Sequence, residues 1–272
     1  MDAKTRLYGV MGHPIGHSLS PTMQNAAFKE LGINAVYIAF DVRPENVENA
    51  IRGIRALGIS GMNVTMPLKE SVLPYLDALS VDAEEIGSVN TIVNEGELMG
   101  YTTDGIGARK ALERVTKLNG KNVLIIGAGG AGKAIAHEMA KTSEVVVLNR
   151  TVEKAKALER FGVKGDSLNF ENLRRYLSWA DVLINATSVG MNSDESLVPG
   201  SLLREDLVVM DIVYRPLKTR LLKDAEEAGC VVVDGLWTLV YQGAESFYLW
   251  TGRRVDPELM RRAALEGLRK GE

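Results

Sequence analysis

Two short segments of the 272-residue sequence carry side chains that could move a proton. Lys69 lies in NVTMPLKE, where a predicted strand gives way to a loop fixed by Pro67, and Asp104 lies in YTTDG, where a helix is predicted to begin. A lysine held by a carboxylate can accept the proton of an alcohol that loses a hydride, and can return it in the reverse direction. Each residue also has a simpler interpretation, because a surface lysine is usually a solvated charge and an aspartate often caps a helix.

A glycine-rich turn is the second feature that could do chemistry. The string VLIIGAGGAGKA places Gly127, Gly129 and Gly132 in a G-x-G-x-x-G pattern, directly after an apolar strand and at the start of a helix. A tight turn, close approach of the backbone to a pyrophosphate and a helix amino terminus all favour glycine at this junction. The pattern predicts dinucleotide binding, and a glycine turn without a ligand is the alternative.

The end of the next strand indicates which dinucleotide is bound. EVVVLNRT ends at Asn149 and Arg150, where a site for NAD carries an acidic residue that contacts the adenosine ribose. Arg150 instead offers a permanently charged, planar group suited to a 2′-phosphate, and Asn149 and Thr151 can donate further hydrogen bonds. We therefore predict NADP, although a solvated arginine is common at a strand end and Glu153 could repel a phosphate.

Further polar residues cluster near the predicted ends of the first strands. Ser18 and Ser20 lie in the loop GHPIGHSLSP, where they could contact a ligand, although Ser20 could simply cap the following helix. Asn63 and Thr65 precede Lys69 in NVTMPLKE. SVNT contributes Asn90 and Thr91, and Thr103 precedes Asp104 in YTTDG. Side chains at the carboxyl ends of strands in an α/β sheet are placed to bind a ligand.

The histidines and the single cysteine indicate neither a metal site nor a disulfide. His13 and His17 share one loop, but no acidic or cysteine partner follows at metal-ligand spacing, so we predict no zinc site. His137 lies within a predicted helix and is expected to be exposed. Cys230, in AGCVVV, is interpreted as a small apolar residue that enters a buried strand.

Two blocks of alternating strands and helices must position these residues. In the first hundred residues the pattern predicts a βαβαβ start, with Pro21 and Pro44 at helix starts and Gly32 and Gly58 at helix ends. NTIVN and ELMGYTTD then predict a hairpin.

From Lys121 the pattern restarts as short apolar strands between helices, which predicts a parallel sheet buried on both faces. A turn and a hinge are predicted at Asn119 and Gly120, and the chain ends in helices that belong to neither block by pattern alone.

Composition limits the partners. The 32 lysines and arginines are balanced by 35 acidic residues, for a formal charge of −3, which argues against a nucleic-acid or anionic-membrane surface. No apolar run approaches the length of a membrane span or a signal-peptide core. We expect a cytoplasmic protein of two domains that acts on a small molecule as a monomer or a homodimer.

Taken together, the motifs resemble one family. GHPIGHSLSP, NVTMPLKE, SVNT, YTTDG, GAGGAGKA, NRT, NATSVGM, DIVYRPLKT and the Gln-Gly of YQG occur in this order and are similar to shikimate dehydrogenases. The resemblance implies reversible reduction of 3-dehydroshikimate to shikimate with NADPH, in chorismate and aromatic amino-acid biosynthesis. It implies an α/β fold of two domains: a substrate-binding catalytic domain over residues 1–105 and 236–272, completed by the C-terminal helices, and a Rossmann-type NADP domain with a parallel sheet over residues 106–235.

The resemblance also implies residue roles. Lys69 is the proton donor and acceptor, and Asp104 beside it holds the substrate and the lysine in place. The implied substrate contacts are Ser18, Ser20, Thr65, Asn90, Asp104, Tyr214 and Gln242. The implied cofactor contacts are Gly127, Ala128, Gly129, Gly130, Ala131, Asn149, Arg150, Thr151, Thr187, Ser188, Ile212 and Gly235.

Three positions depart from the family pattern. Gln24, Thr102 and Thr238 stand where many members carry His, Asn and Met, and the last two could alter substrate contacts and the packing of the nicotinamide. A second hypothesis is therefore a broader enzyme that oxidises quinate as well as shikimate, with NAD or NADP. A third is a nucleotide sensor that binds the cofactor without catalysis.

Overall fold

The chain divides into two compact units in a computed structural model that describes residues 1–270. The first unit comprises Met1–Thr103 together with the chain from Gln242 onward, and the second comprises Asp104–Tyr241. Within the described residues each unit is built on a six-stranded sheet. No helix in that part of the chain is both long enough and apolar enough to cross a membrane.

Strands and helices alternate along most of the chain. The strands are β1 (Arg6–Gly12), β2 (Ala35–Asp41), β3 (Gly61–Val64), β4 (Ala78–Leu79), β5 (Thr91–Asn94), β6 (Leu98–Tyr101), β7 (Asn122–Ile126), β8 (Glu144–Asn149), β9 (Lys164–Ser167), β10 (Val182–Asn185), β11 (Val208–Asp211) and β12 (Val231–Val233). The helices are α1 (Ser20–Glu30), α2 (Val47–Ala56), α3 (Val81–Ile86), α4 (Asp104–Glu113), α5 (Gly130–Ala140), α6 (Val152–Lys156), α7 (Phe170–Leu177), α8 (Arg220–Glu227), α9 (Gly235–Thr251) and α10 (Pro257–Lys270).

The sheet of the first unit is mixed, with strand order β2-β1-β3-β5-β6-β4. Strand β1 pairs in parallel with both β2 and β3, which confirms the predicted βαβαβ start. Strands β5 and β6 pair antiparallel, as predicted for the hairpin, and Gly96 between them has φ of 101°, a conformation that favours glycine.

Helix α1 begins differently from the prediction. Its N-cap residue is Leu19, and Ser20 is already the first helical residue, so the predicted Ser20 cap is wrong. The Ser18 hydroxyl instead accepts a 3.3 Å hydrogen bond from the Ser20 N–H. Pro21 occupies the first turn as predicted, since its missing N–H would have no partner there. Gly32, with φ of 62°, follows the helix end.

The sheet of the second unit is entirely parallel, in the order β12-β11-β10-β7-β8-β9. Successive residues point to opposite faces, so Val123 and Ile125 belong to one apolar cluster while Leu124 and Ile126 belong to another. The predicted parallel sheet with two buried faces is thereby confirmed.

Three local predictions have mixed outcomes. Cys230 is buried at the entry to β12, as expected. His137 was predicted to be exposed, but it is buried, with 8% of its surface exposed. Its ring lies edge-on to Phe161, with the centroids 5.0 Å apart. Gly120, with φ of 74°, does lie in a turn, but this turn is inside the second unit and not at its boundary.

Gly61 offers a test of packing in the first unit. A Cβ built there would collide with the indole of Trp250, which donates a 2.9 Å hydrogen bond from Nε1 to the carbonyl of Ile92. We expect Gly61→Ala to lower the free energy of unfolding by about 1–3 kcal/mol because the core is already filled. Gly53→Ala, in α2 with open space around it, is the matched control and should stabilise by about 0.5–1 kcal/mol. Chemical denaturation measures both, and equal changes would contradict the packing argument.

Candidate functional site

The carboxyl edge of the parallel sheet collects the residues implied as cofactor contacts. All strands of this sheet run in the same direction, so the segments that follow them emerge at a single edge. Five of the strands carry predicted residues just beyond or at their last position. These residues are Gly127 to Ala131 after β7, Asn149 to Thr151 at β8, Thr187 and Ser188 after β10, Ile212 after β11, and Gly235 after β12.

The structure explains two of the three glycines of the motif by close backbone approach, and leaves open space at the third. Gly127 has φ of 111°, and a Cβ there would lie 2.8 Å from the Thr187 side chain. A Cβ at Gly132 would collide with the carbonyl oxygen of Gly127. A Cβ at Gly129 would meet nothing within 4 Å, although this residue immediately precedes α5. Open space beside a helix amino terminus is what a phosphate group requires.

Asn149 joins the glycine turn to the end of β8. Its Oδ1 accepts a 3.1 Å hydrogen bond from the N–H of Ala128, and its Nδ2 donates a 2.9 Å hydrogen bond to the carbonyl of Thr151. The predicted donation of Asn149 to a ligand stays a prediction, and in the structure its amide fixes the backbone of both segments. Arg150 and Thr151 are exposed beside it, so an anion can reach the guanidinium group.

A buried carboxylate, missed by sequence reasoning, fixes the loops that follow β10 and β11. Asp211 is fully buried. Its Oδ1 accepts hydrogen bonds of 3.0 Å from Asn185 Nδ2 and from the N–H of Val213, and its Oδ2 accepts one of 2.7 Å from the Thr219 hydroxyl. Burial raises the pKa of Asp211, while these hydrogen bonds act in the opposite direction.

Asn185 extends this network to the predicted cofactor residues. Its Oδ1 accepts hydrogen bonds from the N–H of Thr187, at 3.1 Å, and from the Thr187 hydroxyl, at 2.7 Å. The same hydroxyl accepts a 3.1 Å hydrogen bond from the N–H of Val189. Two polar side chains at the ends of apolar strands, in NATS and DIVY, were the signal in the sequence that could have revealed this network.

Within the first unit, the structure brings two predicted substrate residues together. Asn90 Nδ2 lies 3.2 Å from Gln242 Oε1, although the two residues are far apart in the sequence. Lys69 lies near this pair along the backbone, because its carbonyl accepts a 2.9 Å hydrogen bond from the N–H of Val89. Ser20 is buried, and Thr65 is half-buried just after β3.

Two other predicted residues belong to the second unit. Asp104 is the first residue of α4 and directly follows Thr103, whose N–H donates a 2.8 Å hydrogen bond to Asn90 Oδ1. Tyr214 is half-buried after β11, and burial raises the pKa of its phenol. Lys69 and Asp104 thus come from different units.

The strand order of the second unit defines its class. Numbered along the chain, the order β9-β8-β7-β10-β11-β12 is 3-2-1-4-5-6, with the direction of winding reversing beside β7. This order, with a glycine turn after the first strand, is that of the Rossmann-type dinucleotide-binding fold.

Family models match most of the chain. The models are the shikimate dehydrogenase substrate binding domain over residues 10–92, shikimate / quinate 5-dehydrogenase over residues 109–212, and the shikimate 5′-dehydrogenase C-terminal domain over residues 235–265.

Individual relatives and solved structures are similar to nearly the whole chain. The shikimate dehydrogenase (NADP(+)) of Thermococcus kodakarensis is 69% identical over 268 residues, covering 98% of either chain. A shikimate dehydrogenase solved in complex with NADP+ has a TM-score of 0.92 at 46% identity, covering 98% of this chain and 96% of that chain. Shikimate 5-dehydrogenase of Thermus thermophilus, solved with NADP(H) and shikimate, has a TM-score of 0.89 at 40% identity, covering 97% of this chain and 100% of that chain. The chain belongs to the shikimate dehydrogenase family.

The buried carboxylate of Asp211 makes the stability of the second unit depend on pH. Because its pKa is raised above 3.8, the folded state binds this proton more tightly than the unfolded state does. This contribution is present below pH 3.8 and is lost as the pH rises through the folded pKa. In Asp211→Asn, the remaining oxygen can still accept from Asn185 and Val213, while the new amide can donate to the Thr219 hydroxyl.

We therefore expect the melting temperature of Asp211→Asn to rise relative to that of the wild type as the pH increases from 4 to 7. Thermal melting over this range provides the measurement. Asp211→Leu, which leaves three buried donors without an acceptor, should be less stable than both at every pH. Parallel pH profiles for the wild type and Asp211→Asn would show that Asp211 does not titrate as described.

Proposed function

We propose that the protein catalyses the reversible, NADP-dependent reduction of 3-dehydroshikimate to shikimate. The observation that carries this proposal is the exposed Arg150 at the end of β8, next to a glycine turn that leaves room for a phosphate. NADP differs from NAD by a 2′-phosphate on the adenosine ribose, and a guanidinium group is suited to that charge. The NADP-linked activity named for the relatives, and the NADP and shikimate complexes of the similar structures, support the proposal.

The residues of the second unit fit an NADP molecule. The glycine turn, with the first turn of α5, would hold the pyrophosphate, and Arg150 with Thr151 would hold the 2′-phosphate. Asn149 acts by holding the backbone of both segments. Thr187, Ser188, Ile212 and Gly235 lie beyond the strands of the other half of the sheet, and we assign them to the nicotinamide half of the cofactor.

Thr238, three residues after Gly235 in α9, supports this assignment. Among the atoms that the structure describes, its hydroxyl oxygen is buried and has no hydrogen-bond partner. A buried hydroxyl is rarely left unpaired, and a bound ligand would supply the missing partner. When bound, the cofactor supplies or accepts the hydride.

The first unit would bind the substrate. Ser18, Ser20, Thr65, Asn90 and Gln242 carry the hydroxyl and amide groups that a polyhydroxylated acid needs as hydrogen-bond partners, and Tyr214 of the second unit would add a phenol. The substrate-binding domain would then comprise residues 1–103 with the chain from 242, instead of the sequence-based boundaries at 105 and 236.

Lys69 would supply and remove the proton. Its Nζ donates a proton to the substrate oxygen during reduction and takes it back during oxidation, while Asp104 orients the ammonium group and a substrate hydroxyl. The protein's contribution is therefore orientation and proton transfer. We expect the enzyme to work in the cytoplasm as a monomer or a homodimer.

A dual shikimate and quinate dehydrogenase that accepts NAD or NADP is the second candidate. Glu153 favours it, because this carboxylate is exposed at the start of α6, close in sequence to Arg150, and would repel a 2′-phosphate. The two candidates differ in the cofactor and substrate pairs that support turnover.

Steady-state rates with each pair separate the candidates. We expect the wild type to reduce 3-dehydroshikimate with NADPH far more efficiently than with NADH, measured by the decay of absorbance of the reduced cofactor. Arg150→Ala should lower kcat/KM for NADPH by about 10- to 100-fold, which corresponds to the loss of a charge-assisted hydrogen bond, and leave NADH unaffected.

The matched control is Arg174→Ala, which replaces an exposed arginine in α7 and should leave kcat/KM unchanged with both NADPH and NADH. Equal efficiency of the wild type with NADH and NADPH would favour the dual enzyme, and NADPH binding without any turnover would favour the sensor.

Replacement of Lys69 tests the proton-transfer step. We expect Lys69→Ala to lower kcat by about 10²- to 10⁴-fold with little change in KM, because the group acts mainly in the transition state. Lys29→Ala, an exposed lysine in the last turn of α1, is the control. Near-normal turnover in Lys69→Ala would remove the lysine from this role.

A further inference from the structure

A buried hydrogen-bond network in the first unit has no role in the function proposed above. Its members come from strands that are far apart in the sequence and from helix α9, and they surround the substrate residues Asn90 and Gln242. The members without an assigned role are Tyr37, Asn63, Thr91, Thr103 and Ser246, each at most 6% exposed. Buried polar side chains are costly unless each one is paired, so a cluster of this size requires an explanation.

Asn63 lies at the centre of this network. Its Oδ1 accepts a 2.6 Å hydrogen bond from the Tyr37 hydroxyl. Its Nδ2 lies 3.0 Å from the carbonyl oxygen of Asn90, 3.1 Å from Thr91 Oγ1 and 3.0 Å from Ser246 Oγ. A carbonyl oxygen can only accept, so the contact with Asn90 fixes which end of the Asn63 amide faces it.

The same network fixes the side chain of Asn90. Asn90 Oδ1 accepts a 3.0 Å hydrogen bond from the Thr91 hydroxyl and a 2.8 Å hydrogen bond from the N–H of Thr103. Asn90 Nδ2 donates to Thr103 Oγ1 at 2.9 Å and to Gln242 Oε1 at 3.2 Å. The orientations of both proposed substrate amides therefore depend on residues bonded to Asn63.

Tyr37 anchors the network on strand β2, because its hydroxyl donates to Asn63 Oδ1. Its backbone is held as well, because the Asn25 side chain accepts from the N–H of Tyr37 at 2.9 Å and donates to its carbonyl at 2.7 Å. Burial raises the pKa of Tyr37 well above its usual value.

We infer that Tyr37 and Asn63 are positioning residues, which hold Asn90 and Gln242 in the orientations that bind the substrate. This inference rests on the proposed function. Polar groups held in place before binding lose less conformational freedom when the ligand arrives, so affinity improves without a further contact. The two residues therefore set the affinity for the hydroxylated acid, and leave the affinity for the cofactor unchanged.

Tyr8 provides a matched comparison. It is as buried as Tyr37, at 1% exposure, and both rings lie beside Trp250, with centroid distances of 5.3 Å and 6.0 Å. Among the described residues, however, no hydrogen bond joins the Tyr8 hydroxyl to Asn63 or to a proposed substrate residue, whereas the Tyr37 hydroxyl donates to Asn63. Removing either hydroxyl disturbs the same aromatic cluster, but only Tyr37→Phe disturbs the network around Asn63.

Steady-state kinetics and thermal melting of Tyr37→Phe and Tyr8→Phe test the inference. We expect Tyr37→Phe to raise KM for shikimate about tenfold, the change expected for one disrupted hydrogen bond, while KM for NADP stays within about twofold. Tyr8→Phe should lower the melting temperature to a similar extent and leave both KM values unchanged. An unchanged KM for shikimate in Tyr37→Phe, or a rise shared with Tyr8→Phe or with NADP, would overturn the inference.

A second substitution in the same network tests the inference without relying on Tyr37→Phe alone. Ser246→Ala removes another partner of Asn63, and we expect it to raise KM for shikimate as well. Because both residues act through Asn63, the rise in the double variant should be smaller than the product of the rises in the two single variants. A rise equal to that product would show that the two residues act independently and would contradict a shared network. Absence of wild-type turnover with shikimate and NADP would overturn the proposed function and this inference together, whereas normal wild-type turnover with an unaffected Tyr37→Phe would overturn the inference alone.

Discussion

Buried polar side chains at the ends of the strands must each find a hydrogen-bond partner, and both units are organised around this requirement. In the second unit the carboxylate of Asp211 accepts hydrogen bonds from three donors, one of which is Asn185, and Asn185 in turn accepts a hydrogen bond from Thr187. In the first unit Asn63 is the residue at the centre of the network: it accepts a hydrogen bond from Tyr37 and donates one to the carbonyl of Asn90. Because leaving a buried polar group unpaired costs about 1–3 kcal/mol, each network admits few arrangements, and its hydrogen bonds fix the loops that carry its members.

The scaffold could be predicted from the sequence because its signals are local. Strands such as VLIIG and EVVVL are apolar at nearly every position, which only a sheet covered on both faces can bury. The glycine turn was equally readable, since Gly127 has a positive φ and Gly132 touches the backbone of that residue. Arg150 was found because its place relative to the second strand follows directly from the motif.

The network of the first unit was not predicted because its partners are distant in the chain. Asn63 and Ser246 are separated by 183 positions and Asn90 and Gln242 by 152, so no spacing rule connects them. His137 was expected to be exposed because its helix alone does not reveal that Phe161 covers it. The interpretation of Ser20 as a cap is also wrong: a serine before a proline is typical of a cap, but the helix begins one residue earlier, and the N–H of Ser20 donates to the Ser18 hydroxyl.

The path of the chain has a consequence for how the molecule is made. The second unit is one continuous segment, whereas the first is split, with its last portion beginning at Gln242. During synthesis from the amino terminus, Asn63 and Thr91 emerge long before their mutual partner Ser246, and the whole second unit is made in between. The nucleotide-type fold can thus form first, because the polar centre of the other unit can close only once the chain through Ser246 has been made.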